Sequence, residues 1–450
     1  MHLFSRRAGA LSLLGMQVVS AIDLDLSSTD SIKAAAKTAA QGMVQYYTGN
    51  RPGDVPGNLP QPYYWWEAGA MFAALVDYWY FTGDDTYNAI TNQALLFQVG
   101  PNNDYMPPNQ TKTEGNDDQA FWGMAALSAA ENRYPNPPPD EPQWLALAQA
   151  VFNSQAIRWD NTSCNGGLKW QIFTFNNGYN YKNTISNGCF FNMAARLAVY
   201  TGNTTYAEWA NKMYDWVSAV GLMSPTYQFF DGTDDTLNCS QLNHIQWSYN
   251  AGVFMLGAAN MYNFTNGEAI WEERLRGIIT GAGVFFNNNV MYEVACETNG
   301  KCNVDQRSFK AYLARWMAAT MVRAPFTREL LLPLLQTSAR AAAQSCTGGS
   351  DGQQCGLQWT TGSFDGSVGV GEQMSAMEVI QSNLWDQVPG PVTAERGGIS
   401  VGDPSAGTGG DQSPVGLDPD DITTGDRVGA GFLTTMVLIG VIGGAWWMVA

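Results

Sequence analysis

Histidine is nearly absent from this sequence, and its scarcity restricts the chemistry that the protein can perform. The 450 residues include two histidines, His2 and His244, and His2 lies in a segment that we expect to be removed. A zinc site with two or three histidine ligands is therefore excluded. No G-x-S-x-G motif supports a serine hydrolase around His244. General acid–base catalysis must then fall to carboxylates, and we expect neither a metal nor a cofactor.

Positive charge is scarce as well. The chain has 23 lysines and arginines against 40 aspartates and glutamates, a net charge of -17, and only 14% of its residues are charged. There is no basic run and no Walker-type loop, so we expect no nucleic-acid partner. Aromatic residues make up 12% of the chain and include 16 tryptophans. Such a composition suits neutral polar ligands such as sugars, although the tryptophans could equally form a core.

Residues 1–21 have the pattern of a secretory signal peptide. Arg6 and Arg7 precede a short, mostly apolar run over 8–19, and the small residues of 19–21 resemble a cleavage site. The alternative is a buried N-terminal helix. The pattern favours secretion.

The C-terminal end has the pattern of a glycosylphosphatidylinositol (GPI) attachment signal. Residues 429–450 are apolar and uncharged, and residues 389–428 are rich in Gly, Pro, Ser, Thr and Asp. Small residues, a polar spacer and a terminal apolar tail that is removed are typical of this signal. The alternative is a tail-anchored helix. We therefore expect one large domain over 22–388, held at the plasma membrane or in the cell wall by a lipid anchor.

Seven cysteines and five glycosylation sequons agree with a secretory route. Two pairs would each close a short loop, Cys296–Cys302 and Cys346–Cys355. Cys189 lies in an apolar helical run and would be the free thiol, which leaves Cys164–Cys239 by elimination without fixing that pairing. The sequons begin at Asn109, Asn161, Asn203, Asn238 and Asn263, and Asn238 is a poor acceptor if Cys239 is in a disulfide.

Apolar residues recur at three- and four-residue spacing along most of the body, which predicts an all-α fold. The predicted helices are 31–47, 64–81, 118–133, 143–156, 187–200, 206–220, 247–262, 268–286, 306–322 and 327–344. Connectors such as Thr82-Gly83-Asp84 and Thr201-Gly202-Asn203 can end one helix and cap the next. Repeated helical hairpins of this kind either close into an α/α toroid or stay open as a solenoid.

Asp117 and Asp118 are the best candidates for a catalytic pair of carboxylates. Adjacent aspartates also occur at 84–85, 234–235 and 420–421, in contexts that suit caps, turns or a linker. Only Asp117-Asp118 opens an apolar helix with aromatics one turn on. The alternative is an N-cap and N1 pair. Two such close carboxylates cannot both ionise cheaply, so one can serve as acid and the other as nucleophile, as in retaining glycosidases.

The segments PYYWWEAGAMFAALVDYW, EGNDDQAFWGMAALSAAE, GGLKWQIF and WSYNAGVFMLGAAN resemble glycoside hydrolase family 76, the endo-α-1,6-mannanases. The resemblance covers nearly the whole body. It implies an (α/α)6 toroid with a groove across one face and a retaining mechanism, with Asp117 as nucleophile and Asp118 as acid/base. With both terminal signals, the chain is similar to the fungal cell-wall branch, thought to cleave the mannose core of a GPI glycan and transfer the attached protein to wall glucan.

Other groove candidates follow from position in these segments. We expect substrate contacts from residues at predicted helix starts and in one loop, with core packing or a plain turn as the alternative for each: Trp65, Trp66, Glu67, Gln119, Trp122, Asp231, Asp235, Tyr249 and Asn250. Three functions stay open. They are a wall transglycosidase acting on α-1,6-mannose and GPI glycans, a hydrolase of free mannan, and an inactive mannan-binding protein.

Overall fold

The computed structural model describes residues 21–409, 430–431 and 434–439. The predicted signal peptide except its last residue, and most of the predicted C-terminal signal, lie outside this part of the chain. Twelve α-helices lie within 21–409: α1 Thr29–Val44, α2 Trp65–Thr82, α3 Asn88–Phe97, α4 Asn116–Glu131, α5 Trp144–Ile157, α6 Thr184–Thr201, α7 Thr204–Val220, α8 Ser248–Phe264, α9 Ala269–Gly281, α10 Phe309–Arg323, α11 Arg328–Ser345 and α12 Val370–Gln381.

The even-numbered helices form a closed ring. Helix α2 packs against α4, and the contacts continue through α6, α8, α10 and α12 back to α2. The odd-numbered helices lie outside, with α1 and α11 against α12, α3 against α2, α5 against α4, α7 against α6 and α9 against α8. The expected (α/α)6 toroid is confirmed, because the contact between α12 and α2 closes what would otherwise be an open solenoid.

The ring helices are buried around most of their circumference, because they are covered from both sides. Every residue of α6 from Thr184 to Tyr200 is buried. Two glycines permit close approach between neighbours. A Cβ atom on Gly188 of α6 would come within 2.4 Å of α8, and one on Gly252 of α8 within 2.8 Å of the Trp316 ring in α10. A side chain at either position would force the ring helices apart.

Two helices, α3 and α12, were not among those that periodicity predicts. Helix α12 is buried along its whole length although it contains Glu372 and Glu378. These glutamates interrupt the apolar pattern, so the sequence does not indicate a buried ring helix here. The predicted connector chemistry holds at Gly202, which ends α6 with φ 71°, and at Asn203, whose side chain caps α7. It fails at Asp84, which accepts hydrogen bonds from Tyr78 and Thr86 instead of capping α3.

Short strands connect some of the helices. The first sheet is antiparallel, with β1 Tyr181–Asn183 beside β2 Gly232–Asp234 and then β3 Leu242–Asn243. The others pair β4 Phe286–Asn287 with β5 Val290–Met291, and β6 Cys346–Gly348 with β7 Gln354–Cys355. Strand β1 runs directly into α6, so the first sheet fixes where that ring helix begins.

Residues 389–409 pack against the helical domain, although the sequence suggests a linker there. Val392 N donates to Glu131 O and Ala394 N to Tyr200 O, both at 2.8 Å. Further along, Asp403 N donates to Gln149 Oε1 at 2.7 Å. This segment, the C-terminal strap, runs from the ends of α4 and α6 along α5. The folded body therefore extends beyond the expected boundary at residue 388.

The cysteine assignments are confirmed. Disulfides join Cys164 to Cys239, Cys296 to Cys302 and Cys346 to Cys355, and Cys189 is a buried free thiol. All five sequon asparagines are exposed, but Asn238 Oδ1 accepts a hydrogen bond from Cys164 N at 3.0 Å. No helix in the described part of the chain has the length and apolarity needed to cross a bilayer.

Candidate active site

The first turns of five ring helices line one pocket of about 190 Å³. They contribute Trp66 from α2, the Asp117–Asp118 pair from α4, Ile185 from α6, Tyr249 from α8 and Phe309 from α10. The pocket is completed by Phe121, Trp170, Tyr181, Asn183, Asp231 and Asp305. Helix N-termini carry partial positive charge, which favours carboxylates at this end of the ring.

Asp117 is the second residue of α4 and is buried, with 9% of its surface exposed. Its Oδ1 accepts a hydrogen bond from Asp118 N at 3.1 Å, and its Oδ2 accepts one from Asn183 Nδ2 at 3.2 Å. Burial raises the pKa of Asp117 to about 7, and the hydrogen bonds oppose this rise. The side chain is thus held so that its charged form has donors on both oxygens.

Asp118 is the third residue of α4 and closes the start of the helix. Its Oδ2 accepts a hydrogen bond from the N-cap residue, Gly115, at 2.7 Å. The capping interpretation is therefore correct for Asp118, although at N3 and not at the N-cap or N1 position. It does not exclude catalysis, because the carboxyl group also lines the pocket.

The two aspartates differ in how readily they ionise. Burial and the adjacent Asp117 charge hold the pKa of Asp118 well above its usual range. Asp117 has hydrogen bonds to both oxygens and is the easier of the two to ionise. Over a shared pH range one carboxyl group is thus charged while its neighbour keeps a proton, as a nucleophile and an acid require.

Asn116 clamps the start of α4 in place. Its backbone N donates to Trp170 O and its Nδ2 to Lys169 O, both at 2.8 Å. Arg158 Nε in turn donates to Asn116 Oδ1 at 2.9 Å. Because these bonds involve the residue directly before Asp117, they fix the position of the pair relative to the segment that carries Trp170.

Aromatic rings form much of the pocket wall. Tyr249 stacks on Phe309 with ring centroids 3.9 Å apart, and Trp66 lies 4.8 Å from Phe121. Trp170, at 36% exposure, stands at the pocket edge. Flat apolar faces beside carboxylates suit the binding of sugar rings, which present C–H groups to the aromatics and hydroxyls to the oxygens.

Asp231 lines the pocket as expected, and its carboxylate is fully engaged by the protein. Oδ2 accepts hydrogen bonds from Tyr181 OH at 2.6 Å and Asn243 Nδ2 at 3.2 Å, and Oδ1 accepts one from Trp247 Nε1 at 2.9 Å. Burial raises the pKa of Asp231, and these three donors oppose it. Asp231 is therefore a fixed acceptor in the wall.

Several expected groove residues lie outside the pocket. Trp122 is fully buried and stacks on Trp65 at 5.2 Å, and the Trp65 ring donates to Gln98 Oε1 at 2.8 Å. Gln119 is also fully buried and donates to Asp104 O at 2.8 Å. The core alternative fits these residues, because Trp122 faces α2 and Gln119 faces α5, whereas Phe121 of the same helix lines the pocket.

The other three residues that we expected to contact the substrate are buried. Asp235 pairs with Lys169 and accepts a hydrogen bond from Ser163 Oγ at 3.1 Å. Asn250 is buried, with 1% exposed. Glu67 is fully buried and accepts a hydrogen bond from Tyr64 N at 2.9 Å, and burial beside Asp305 raises its pKa to about 8. None of the three side chains is part of the pocket lining.

Seven of the twelve residues that line the pocket were not selected from the sequence: Phe121, Trp170, Tyr181, Asn183, Ile185, Asp305 and Phe309. Trp170 lies in the GGLKWQIF segment and could have been found there. Asp305, in NVDQRS, has no local signal. It enters the site because α10 lies opposite α4 in the ring. Within the described residues no group of histidines, cysteines and carboxylates is arranged to hold a metal ion.

Comparisons with known proteins agree with this architecture. The model of the family described as Glycosyl hydrolase family 76 matches residues 31–395. A relative from Saccharomyces cerevisiae, mannan endo-1,6-alpha-mannosidase DCW1, is 49% identical over 97% of each chain. Its counterpart DFG5 from the same yeast is 47% identical over 95% of this chain and 94% of its own.

Solved structures are similar as well. Dfg5 from Chaetomium thermophilum, in complex with glucosamine, has 48% identity and a TM-score of 0.83, covering 85% of this chain and 97% of its own. An inactive α-1,6-mannanase from Salegentibacter sp. HEL1_6, with two consecutive aspartates replaced by alanine and α-1,6-mannotetrose bound, matches at 18% identity. Its TM-score is 0.63, over 78% of this chain and 98% of its own, which supports the fold. The chain belongs to glycosyl hydrolase family 76 and is a glycoside hydrolase.

Proposed function

We propose that this protein is a retaining α-1,6-mannosidase whose reaction is carried by Asp117 and Asp118. The observation that carries the proposal is the pair itself: two adjacent carboxyl groups on the first turn of α4, both in one aromatic pocket, with unequal tendencies to ionise. Close relatives are named mannan endo-1,6-alpha-mannosidases. The Salegentibacter enzyme, inactivated at consecutive aspartates, binds an α-1,6-mannoside.

The reaction has two displacements. In the first, an ionised Asp117 oxygen attacks the anomeric carbon of a mannose, the glycosidic C–O bond breaks, and Asp118 gives its proton to the departing oxygen. In the second, the Asp118 carboxylate takes a proton from an incoming hydroxyl, which attacks the anomeric carbon and releases Asp117. Asn183, which donates to Asp117 Oδ2 at 3.2 Å, would hold that carboxylate in position for attack.

The proposed natural role is transfer. The donor would be a mannose chain in a GPI core glycan and the acceptor a cell-wall glucan, so that a GPI-anchored protein becomes attached to the wall. The predicted signal peptide and GPI signal support this role, because an anchor would keep the enzyme beside its donors. Rings at the pocket edge such as Trp170 could hold an acceptor and exclude water. The structure of Dfg5, at 48% identity, holds glucosamine, so a relative of this chain binds a sugar other than mannose.

The alternative role is hydrolysis of free mannan by a secreted enzyme. It uses the same site and the same covalent intermediate, and it differs only in which hydroxyl takes the mannose from Asp117. The predicted anchor favours transfer, since an enzyme that digests free mannan gains little from attachment to the membrane.

Proton NMR of the first products tests the proposal. Purified protein is incubated with an α-1,6-mannoside, with and without a glucan oligosaccharide. We expect the first product to be the α-anomer, and a new mannosyl–glucan product when the acceptor is present. An initial β-anomer would contradict the covalent mechanism. A product mixture unchanged by the acceptor would leave a hydrolase.

A further inference from the structure

A second cavity lies in the axis of the ring, at the end opposite the catalytic pocket. This space, the axial cavity, has a volume of about 70 Å³ and is lined mainly by the C-terminal halves of α2, α4, α6, α8 and α10. Trp385, Val388 and Pro391 complete its wall. Within the described part of the chain, Phe121 is the one residue that lines both the axial cavity and the catalytic pocket.

The axial cavity is polar enough to hold water. Three buried atoms of its lining have no hydrogen-bond partner among the described residues: Arg323 Nη2, Glu131 Oε1 and Asn260 Oδ1. The first two form only a long ion pair, at 3.5 Å. A polar cavity holds ordered water where it offers several partners and roughly 10–15 Å³ for each molecule. The axial cavity meets both conditions for several molecules.

Phe121 lies between the axial cavity and the catalytic carboxyl groups. It is four residues after Asp117 and three after Asp118 on α4, so its side chain lies one turn further along the same face of the helix. Phe121 is only 3% exposed, and its ring centroid is 4.8 Å from that of Trp66 and 5.0 Å from that of Tyr312. These three packed rings form the floor of the catalytic pocket.

The two rings beside Phe121 are each held by a hydrogen bond. Trp66 Nε1 donates to Asp305 Oδ1 at 3.2 Å, and Tyr312 OH donates to Ser308 Oγ at 2.9 Å. These bonds hold both rings away from the space that a smaller side chain would leave at position 121. Truncation of Phe121 would therefore open a direct path from the axial cavity to the catalytic pocket.

Water beside the glycosyl-enzyme competes with a sugar acceptor. In the second displacement an oxygen bonds to the anomeric carbon, the bond from that carbon to Asp117 breaks, and Asp118 takes the proton of the attacking hydroxyl. A water molecule satisfies the same balance and releases a free mannose chain. When donor and acceptor sugars fill the open side of the pocket, where Trp170 stands, the floor is the remaining route for water.

We propose that Phe121 keeps the water of the axial cavity away from the glycosyl-enzyme and is thereby a specificity-determining residue, one that favours a sugar hydroxyl over water. The inference rests on the proposed function, because it concerns the transfer step. A closed floor benefits an enzyme that transfers mannose to a sugar. It has no such benefit for an enzyme that transfers mannose to water.

The ratio of hydrolysis to transfer tests the proposal. The donor is α-1,6-mannotetrose, the acceptor is a glucan oligosaccharide at saturating concentration, and both products are counted by mass spectrometry. The variants are Phe121→Ala and Phe121→Leu. Met124→Ala is the matched control, because Met124 lines the axial cavity but not the catalytic pocket. Both products come from one glycosyl-enzyme, so their ratio does not depend on how fast that intermediate forms.

We expect Phe121→Ala to raise the ratio of hydrolysis to transfer about threefold or more, with a smaller rise in Phe121→Leu. Met124→Ala should stay near the wild-type ratio. Weaker acceptor binding would not produce this result, because the acceptor is saturating. An unchanged ratio in both Phe121 variants would overturn the proposal, as would an equal rise in Met124→Ala. Phe121→Leu costs less stability, so it decides the test if thermal denaturation shows that Phe121→Ala does not fold.

Crystal structures of the wild type and the variants give a readout that does not depend on catalysis. Ordered waters should fill the axial cavity of the wild type and extend to Asp118 in Phe121→Ala. A dry axial cavity in the wild type would overturn the proposal. If the wild type cleaves the mannoside but forms no transfer product, the proposed transfer role fails, and the waters alone decide whether Phe121 closes the floor. If transfer occurs and the ratio does not respond to Phe121, the inference fails alone.

Discussion

Asn183 should set the pH at which the enzyme becomes active. Its Nδ2 donates to Asp117 Oδ2 at 3.2 Å, and its Oδ1 accepts from Ser186 N at 3.2 Å as the N-cap of α6. Replacement by serine keeps a good N-cap residue but removes the amide that reaches Asp117. Asn183→Ser therefore alters the electrostatics of the nucleophile with little cost to the helix.

The pKa of Asp117 should rise in Asn183→Ser. The amide stabilises the charged carboxylate, so its loss raises a pKa that burial has already brought to about 7. A hydrogen bond to a charged group contributes about 1.5–3 kcal/mol, and 1.36 kcal/mol corresponds to one pKa unit. At 3.2 Å the bond is a long one and water can replace part of it. We therefore expect a rise of about one unit.

The assay is the pH dependence of kcat/KM on an α-1,6-mannoside. Activity needs ionised Asp117, so the acidic limb should rise as pH passes through the pKa of that group, and the limb should move up by about one pH unit in Asn183→Ser. At a pH below the limb the rate should fall about tenfold. Asn183→Ser should leave the alkaline limb, which reports Asp118, close to its wild-type position.

Ser28→Asn is the matched control. It exchanges the same two residue types at the N-cap of the outer helix α1, where Ser28 Oγ accepts from Ser31 N. This variant should keep the wild-type profile. An acidic limb that does not move in Asn183→Ser, with the protein folded, would mean that the group responsible for that limb is not Asp117.

Three more outcomes are expected. Asp117→Asn should abolish the glycosyl-enzyme seen by mass spectrometry. Asp118→Asn should slow formation of the glycosyl-enzyme, and the effect should be smallest for substrates with good leaving groups. Near-normal rates in both variants would mean that the pair serves only to cap the helix. A chain ending at residue 388 should unfold more easily than one ending at 409, by about 3 kcal/mol or more, because the hydrogen bonds that anchor the C-terminal strap include those donated by Val392, Ala394 and Asp403, each worth about 1 kcal/mol. Urea denaturation measures the difference, and equal stability would make the strap a loose tail. Phosphatidylinositol-specific phospholipase C should release the mature protein from membranes, and an antibody to 440–450 that still detects the membrane-bound form would contradict a GPI anchor.

Local chemistry could be predicted well. The cysteine pairs fit their short loops, Gly202 and Asn203 supply a helix end and a helix start, and Asp117-Asp118 opens α4 inside a specific motif. Each of these depends on residues within a few positions of one another. Sequence spacing therefore carries the relevant geometry.

Which aromatics face the sugar could not be predicted. Trp65 and Trp66 are adjacent, yet Trp65 packs against Trp122 and Trp66 lines the pocket. Successive helical residues point about 100° apart, since a turn takes 3.6 residues. Only the crossing of α2 with α4 decides which direction is core and which is pocket. The expectation for Trp122 failed for the same reason.

The amino-acid sequence by itself determined most of the helices, the two short-loop disulfides and the carboxylate pair, because each is a property of a short stretch of chain. The closure of the ring, the burial of α12 with its glutamates and the meeting of Asp305 with Asp117 were decided by tertiary structure. The last two residues are 188 positions apart in the chain, and nothing local links them. They share a pocket because six packed helices bring their first turns to one end of the ring, and the physical environment of each carboxylate exists only after that packing.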